Sequence, residues 1–181
     1  MNKNIFINVV SFLFIFVLLS CRADGVNMKD AKDKEITKKE IEEYLEKRNR
    51  DFLVQEANLI NSYIERNNLD VVNTGTGLRY QIHEQGDGIL ITEGDVVTLE
   101  YEMRLLDGNL IYSSENDGKK TFLVGRGGVE SGLEEAVLKL CKNSVATLII
   151  PAHLGHGLIG DGNKIPSQAT LVYKLKVVDK Q

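Results

Sequence analysis

Between residues 97 and 105 the chain alternates strictly: Val97, Leu99, Tyr101, Met103 and Leu105 are apolar, while Thr98, Glu100, Glu102 and Arg104 are polar. A period of two marks a strand with one buried and one wet face, as in an antiparallel sheet. Asp107-Gly108 follows, a dipeptide suited to a tight hairpin. The spacing predicts further short strands over residues 78–83, 110–112, 121–124, 145–150 and 169–178, with Gly86-Asp87-Gly88 turning the chain after the first. Leu133, Ala136, Val137 and Leu140 recur at helical spacing and predict one short helix. Five or six strands and one helix over residues 74–181 predict an α+β domain with the helix on one face of the sheet.

Upstream the period changes. Thr37 and Glu40 are spaced as a capping box, with Ile36 and Ile41 as a hydrophobic staple, so a helix is predicted to start at Lys38. Ile41, Leu45, Phe52, Leu59 and Tyr63, joined by Ile60 and Ile64, trace a stripe of near-heptad spacing, interrupted by Arg48 and by Gln55 or Glu56. Such a stripe suits either a helix lying on its own domain or a pairing helix in a homodimer. No Pro or Gly intervenes until the break at residues 72–77, which places the helical segment at residues 36–69.

Residues 1–20 carry one charge, Lys3, followed by a run from 5 to 19 that is apolar except for Asn8 and Ser11. The run is shorter than the ~20 residues of a comfortable membrane span and has the layout of a secretory leader. It ends in Leu18-Leu19-Ser20-Cys21, which resembles a bacterial lipobox in which Cys21 is acylated and becomes the mature N-terminus. An ordinary cleaved leader, or an uncleaved anchor with an incidental cysteine, are the alternatives. Residues 21–35 are charged, small and aperiodic, the composition of a flexible tether. The expected location is the cell envelope outside the cytoplasm, on a membrane through lipid on Cys21.

Composition narrows the chemistry. A formal net charge of −4 argues against a nucleic-acid partner, which calls for a basic face. Two cysteines exclude a cysteine-rich zinc site or a multi-disulfide scaffold, and Cys141 falls on the apolar side of the predicted helix as a buried thiol. The run Gly155-His156-Gly157-Leu158-Ile159-Gly160 matches a dinucleotide fingerprint literally, but Asp161, Gly162, Asn163 and Pro166 follow where a helix should open. His153 and His156 have no third metal ligand in view, and neither a nucleophile elbow nor a carboxylate pair is present. Any reaction here is expected to need no nucleophile, metal or cofactor.

One family's pattern satisfies that condition. Gly94-Asp95, Leu99-Glu100-Tyr101, Asp107-Gly108-Asn109, Ser113-Ser114, Gly132-Leu133-Glu134-Glu135-Ala136, Ile165-Pro166 and Ala169-Thr170-Leu171-Val172-Tyr173 come in one order and spacing. In these positions residues 78–178 resemble the FKBP-type peptidyl-prolyl isomerases. With its lipobox and preceding helix, the chain also looks like the gliding-motility-associated isomerase lipoproteins of that family. The resemblance implies a bent antiparallel sheet wrapped on one helix and isomerisation of X-Pro segments in exported proteins. It places catalytic roles on Tyr101, Tyr112 and His156, and substrate-binding roles on Ile111, Val129, Glu130, Leu133, Ile165 and Tyr173.

Five of these depart from the family pattern. Ile111 stands where an aromatic wall is typical, Leu133 where tryptophan is frequent, and Glu130 where an isoleucine carries a backbone donor. Tyr112 replaces an acidic residue, and His156 a tyrosine whose hydroxyl contacts the substrate carbonyl. The His156 imidazole is expected to supply that donor and to make the rate pH-sensitive. The connection over residues 151–168 leaves no room for an inserted chaperone domain. The helix is expected to be separable, so that a chain starting at Thr74 keeps its turnover on a short peptide. The alternative function is a catalytically weak chaperone or binding module on the same fold.

Overall fold

A helix begins where Thr37 and Glu40 close the expected capping box: the Thr37 N–H donates to Glu40 Oε2 at 2.9 Å, and the Glu40 N–H to Thr37 Oγ1 at 3.2 Å. The computed structural model describes residues 37–181, so the leader, Cys21, the tether and Ile36 of the staple lie outside the described residues. Helix α1 (Lys38–Arg66) buries three side chains, Glu56, Ile60 and Tyr63. Their spacing of four and three residues puts them on one face. Ile60 and Tyr63 pack on Ile149 and Val172, with Ile64 and Leu69 at the margin. The segment from Glu46 onward thus lies on its own domain. Leu59 from the predicted stripe is 60% exposed, because a heptad row drifts around a straight helix and only one part of it can meet a flat surface.

Among the described residues seven antiparallel strands form one sheet: β1 (Val72–Asn73), β2 (Arg79–Glu84), β3 (Val96–Leu105), β4 (Leu110–Ser113), β5 (Lys120–Leu123), β6 (Val145–Ile150) and β7 (Leu171–Lys180). Their order is β1-β2-β6-β7-β3-β4, and β5 also pairs with β3. The strand not foreseen is β1, in the segment read as a break. Two partners share one edge of β3: residues 96–99 pair with β5 and residues 102–104 with β4. Between them the Tyr101 N–H donates to Ser114 Oγ at 3.1 Å, in the short helix α2 (Ser114–Asp117) that joins β4 to β5. That edge of β3 therefore changes partner around Tyr101.

The concave face carries the core. Leu99, Tyr101 and Met103 of β3, Leu148 and Ile150 of β6, and Leu171, Tyr173 and Leu175 of β7 pack around Leu133, Ala136 and Val137 of helix α3 (Ser131–Val137). A Cβ on Gly132 would stand 2.5 Å from Ile150 Cγ2, so only glycine lets α3 come this close to β6. Cys141 is a buried free thiol. The other face is split between the apolar patch under α1 and a charged groove of about 350 Å³ beside Glu100, Glu102, Lys174 and Lys176.

This packing changes the expectation of a separable helix. Ile149 and Val172 are covered by Ile60 and Tyr63, and each such apolar side chain contributes about 1.5–3 kcal/mol on burial. A chain starting at Thr74 would bare that patch.

Candidate functional site

Strands β3 and β7 turn Tyr101 and Tyr173 into the concave face, with ring centroids 5.8 Å apart and planes tilted by 41°. With Leu133 they form an apolar floor in which Tyr173 and Leu133 are 0% exposed and Tyr101 9%. Over it lies a polar network centred on Glu130, the residue that precedes α3. Tyr173 Oη donates to Glu130 Oε1 at 2.8 Å, and His156 Nε2 donates to the same oxygen at 3.2 Å. Lys120 Nζ donates to Glu130 Oε2 at 3.4 Å and to Tyr173 Oη at 3.2 Å. The same ammonium stands 5.4 Å from the ring centroid of Tyr101 and 5.7 Å from that of Tyr173, within cation–π range.

Electrostatics fix the protonation of this cluster. Burial alone would push the Glu130 carboxyl up, but Lys120, its own backbone N–H, the Tyr173 hydroxyl and His156 together hold it below its ordinary value. It is therefore a carboxylate at neutral pH. Burial, and then the Glu130 charge, push the Tyr173 phenol far up, so that it serves only as a hydrogen-bonding hydroxyl. A carboxylate only accepts, so His156 carries a proton on Nε2, the atom that faces Glu130.

A second network adjoins the first. Tyr112 Oη donates to Asp161 Oδ2 at 2.5 Å, and Asn163 Nδ2 donates to Tyr112 Oη at 3.2 Å. Asp161 Oδ1 accepts the N–H groups of Asn163 and Ile165, each at 2.8 Å, a local turn that tucks Ile165 into the core. Burial works against the Asp161 charge, yet the Tyr112 hydroxyl, these two N–H groups and His156 hold its carboxyl down at about 2. Lys164 Nζ sits 4.7 Å over the Tyr112 ring and donates to the Ile111 carbonyl at 3.2 Å.

The segment between β6 and β7 carries His156, Asp161 and Ile165, and its two ends are tied to one buried carboxylate. Glu56 Oε1 of α1 accepts the Ala152 N–H and the Thr170 hydroxyl, both at 2.7 Å. The glycine run inside this segment follows a 3₁₀ turn (Ala152–Leu154) and opens no helix. His153 Nε2 donates to the Thr76 carbonyl at 2.9 Å and has no part in either network. A cleft of about 340 Å³ opens between Lys120, Gly128, Val129, Glu130, Gly155 and His156. Tyr101, Val129, Glu130, Leu133, His156 and Tyr173 thus converge on the floor and its cleft, while Tyr112 and Ile165 bond to Asp161 and Ile111 joins them through Lys164.

Residues 89–178 match the FKBP-type peptidyl-prolyl cis-trans isomerase pattern. FK506-binding protein 2 of Kluyveromyces lactis is 38% identical over 95 residues, which cover 51% of this chain and 68% of that protein. The chain belongs to the FKBP-type peptidyl-prolyl cis-trans isomerase family. The probable FKBP-type isomerase FkpA of Neisseria meningitidis is 42% identical over 109 residues, which is 60% of this chain but only 39% of that relative. The crystal structure of FkpA from Escherichia coli superposes with a TM-score of 0.63 at 25% identity, covering 100% of this chain and 83% of that one.

Three residues of these networks escaped the sequence analysis: Lys120, Asp161 and Glu56. A signal existed for two of them. Lys120 shares the inward face of β5 with Phe122, and Glu56 stands four residues before Ile60 on the buried face of α1. A charged side chain on an apolar face announces a buried partner.

Proposed function

We propose that the chain isomerises X-Pro peptide bonds in exported proteins. Tyr101, Tyr112 and His156 face the twisting amide, and Ile111, Val129, Glu130, Leu133, Ile165 and Tyr173 form the walls of the pocket. The observation that carries this is the apolar Tyr101–Leu133–Tyr173 floor set directly beside fixed hydrogen-bonding groups. Twisting a peptide bond forfeits amide resonance at a cost of ~18–20 kcal/mol, and unaided X-Pro exchange takes tens to hundreds of seconds. A twisted amide is less dipolar than a planar one. A dry floor that strips water from the planar form, with a few fixed donors for the twisted form, favours the transition state over the ground state. Rotation transfers no proton and makes no covalent bond, so no cofactor is called for.

The test is a protease-free exchange measurement by NMR, with the mature chain and a short X-Pro peptide, where accelerated cis–trans exchange is the expected result. The sealed floor favours a second function, a binding module on the same fold. Peptide binding without accelerated exchange would select it.

We further infer the layout around this domain: residues 1–20 as a lipoprotein leader, Cys21 as the acylated residue, residues 21–35 as the tether, residues 36–69 as a helical segment and residues 74–181 as the FKBP-like domain. Leu59 of the predicted stripe stays exposed and leaves apolar surface on α1 for a homodimer. Several acyl chains on one cysteine hold a protein firmly where a single chain does not. Cys21→Ser is therefore expected to shift the protein into the soluble fraction or to leave the precursor uncleaved. Unchanged membrane extraction and mature mass would refute the anchor.

A further inference from the structure

The apolar floor of the proposed proline site is closed, and the group that closes it is charged. Tyr173 and Leu133 are 0% exposed, and the Lys120 ammonium lies over both tyrosine rings while bonded to Glu130 and Tyr173. A proline ring reaches that floor only if something moves. Glu130 is held by the start of α3, by the Tyr173 hydroxyl and by His156, and its side chain is 5% exposed. Lys120 hangs on a flexible stem at the first residue of β5, with its side chain 23% exposed. The lysine is therefore the movable part.

The two partners fare differently when they separate. Glu130 keeps three donors, namely its own N–H, the Tyr173 hydroxyl and His156. Lys120 keeps none of the contacts it makes over the floor and stays tethered at the rim of the cleft beside the incoming peptide. We propose that Lys120 is the specificity-determining residue of this site: it leaves the floor when proline enters and then pairs with an acidic residue next to the proline. The substrate class is thus acidic X-Pro segments. A basic residue at that position meets the displaced ammonium as a like charge. The proposal rests on the isomerase function above.

The experiment compares three blocked tetrapeptides, Ala-Glu-Pro-Phe, Ala-Leu-Pro-Phe and Ala-Lys-Pro-Phe, by NMR exchange with the mature chain at low salt. The glutamate peptide is expected to exceed the lysine peptide about fivefold in kcat/KM, the scale of a partly screened ion pair, and high salt should shrink the ratio. Lys120→Met retains the stem without the charge and should raise turnover of the leucine peptide while removing the glutamate preference. Lys120→Arg should keep the preference. Equal or reversed turnover in the wild type, or a glutamate preference surviving in Lys120→Met, overturns the proposal. If no peptide is turned over, it is the isomerase function that fails. Dissociation constants for the same peptides from chemical-shift titration then decide the role of Lys120, with tighter glutamate binding that Lys120→Met abolishes as the supporting result and any other order as the overturning one.

Discussion

Glu130→Ala is expected to lower the free energy of unfolding by about 3 kcal/mol in urea at pH 7, because it removes one partner of a buried ion pair and leaves the others unmatched. Tyr173 would lose its acceptor in a fully buried position, and Lys120 its counter-charge. Adding Lys120→Met should restore part of the loss, since the pair is then replaced rather than broken. A double mutant as unstable as the simple sum would show that the two side chains are not coupled. The pH dependence has a definite sign. The folded Glu130 carboxyl is held below its ordinary value of 4.5, so its stabilisation is fully present above about pH 4.5 and is lost as the pH falls through the folded value. Glu130→Gln should therefore flatten the acid limb of the stability profile, and an unchanged limb would contradict the assignment.

His156→Phe is expected to lower kcat/KM on a short X-Pro peptide about tenfold, the scale of one hydrogen bond made with a charged group. The phenyl ring keeps most of the bulk of the imidazole but leaves Glu130 Oε1 without the Nε2–H that helps to hold it. His156→Tyr puts a hydroxyl in that place and should keep or raise activity. A His156→Phe variant as active as the wild type would remove His156 from the reaction.

Much of this fold was legible because its signals are local. The alternation from Val97 to Leu105, the turn at Asp107-Gly108 and the reciprocal Thr37–Glu40 cap each depend on neighbours within a few residues. The site was legible only in part, because its chemistry comes from groups far apart in sequence. Glu130 meets Tyr173 across 43 residues, and Glu56 meets Thr170 across 114. Pattern alone places each of these on an element and a face. Which polar partner waits on the facing element depends on how β5, β7 and α1 converge, and no local period encodes that. Tyr112 shows the limit well: its hydroxyl is committed to Asp161, a loop residue with no periodic neighbours to flag it.

The position of β7 in the sheet has a consequence for the order of assembly. It lies between β6 and β3 and pairs with β3 from Val97 to Leu105, across roughly seventy intervening residues. Until Leu171–Lys180 is in place, β1-β2-β6 and β3-β4-β5 are two ribbons with unpaired edges and no backbone pairing between them. A chain threaded N-terminus first through a translocation channel would thus stay open until this strand had cleared the exit. Its own completion is bound to be late, slow and exposed to aggregation, the same hazard that an X-Pro isomerase relieves in other chains.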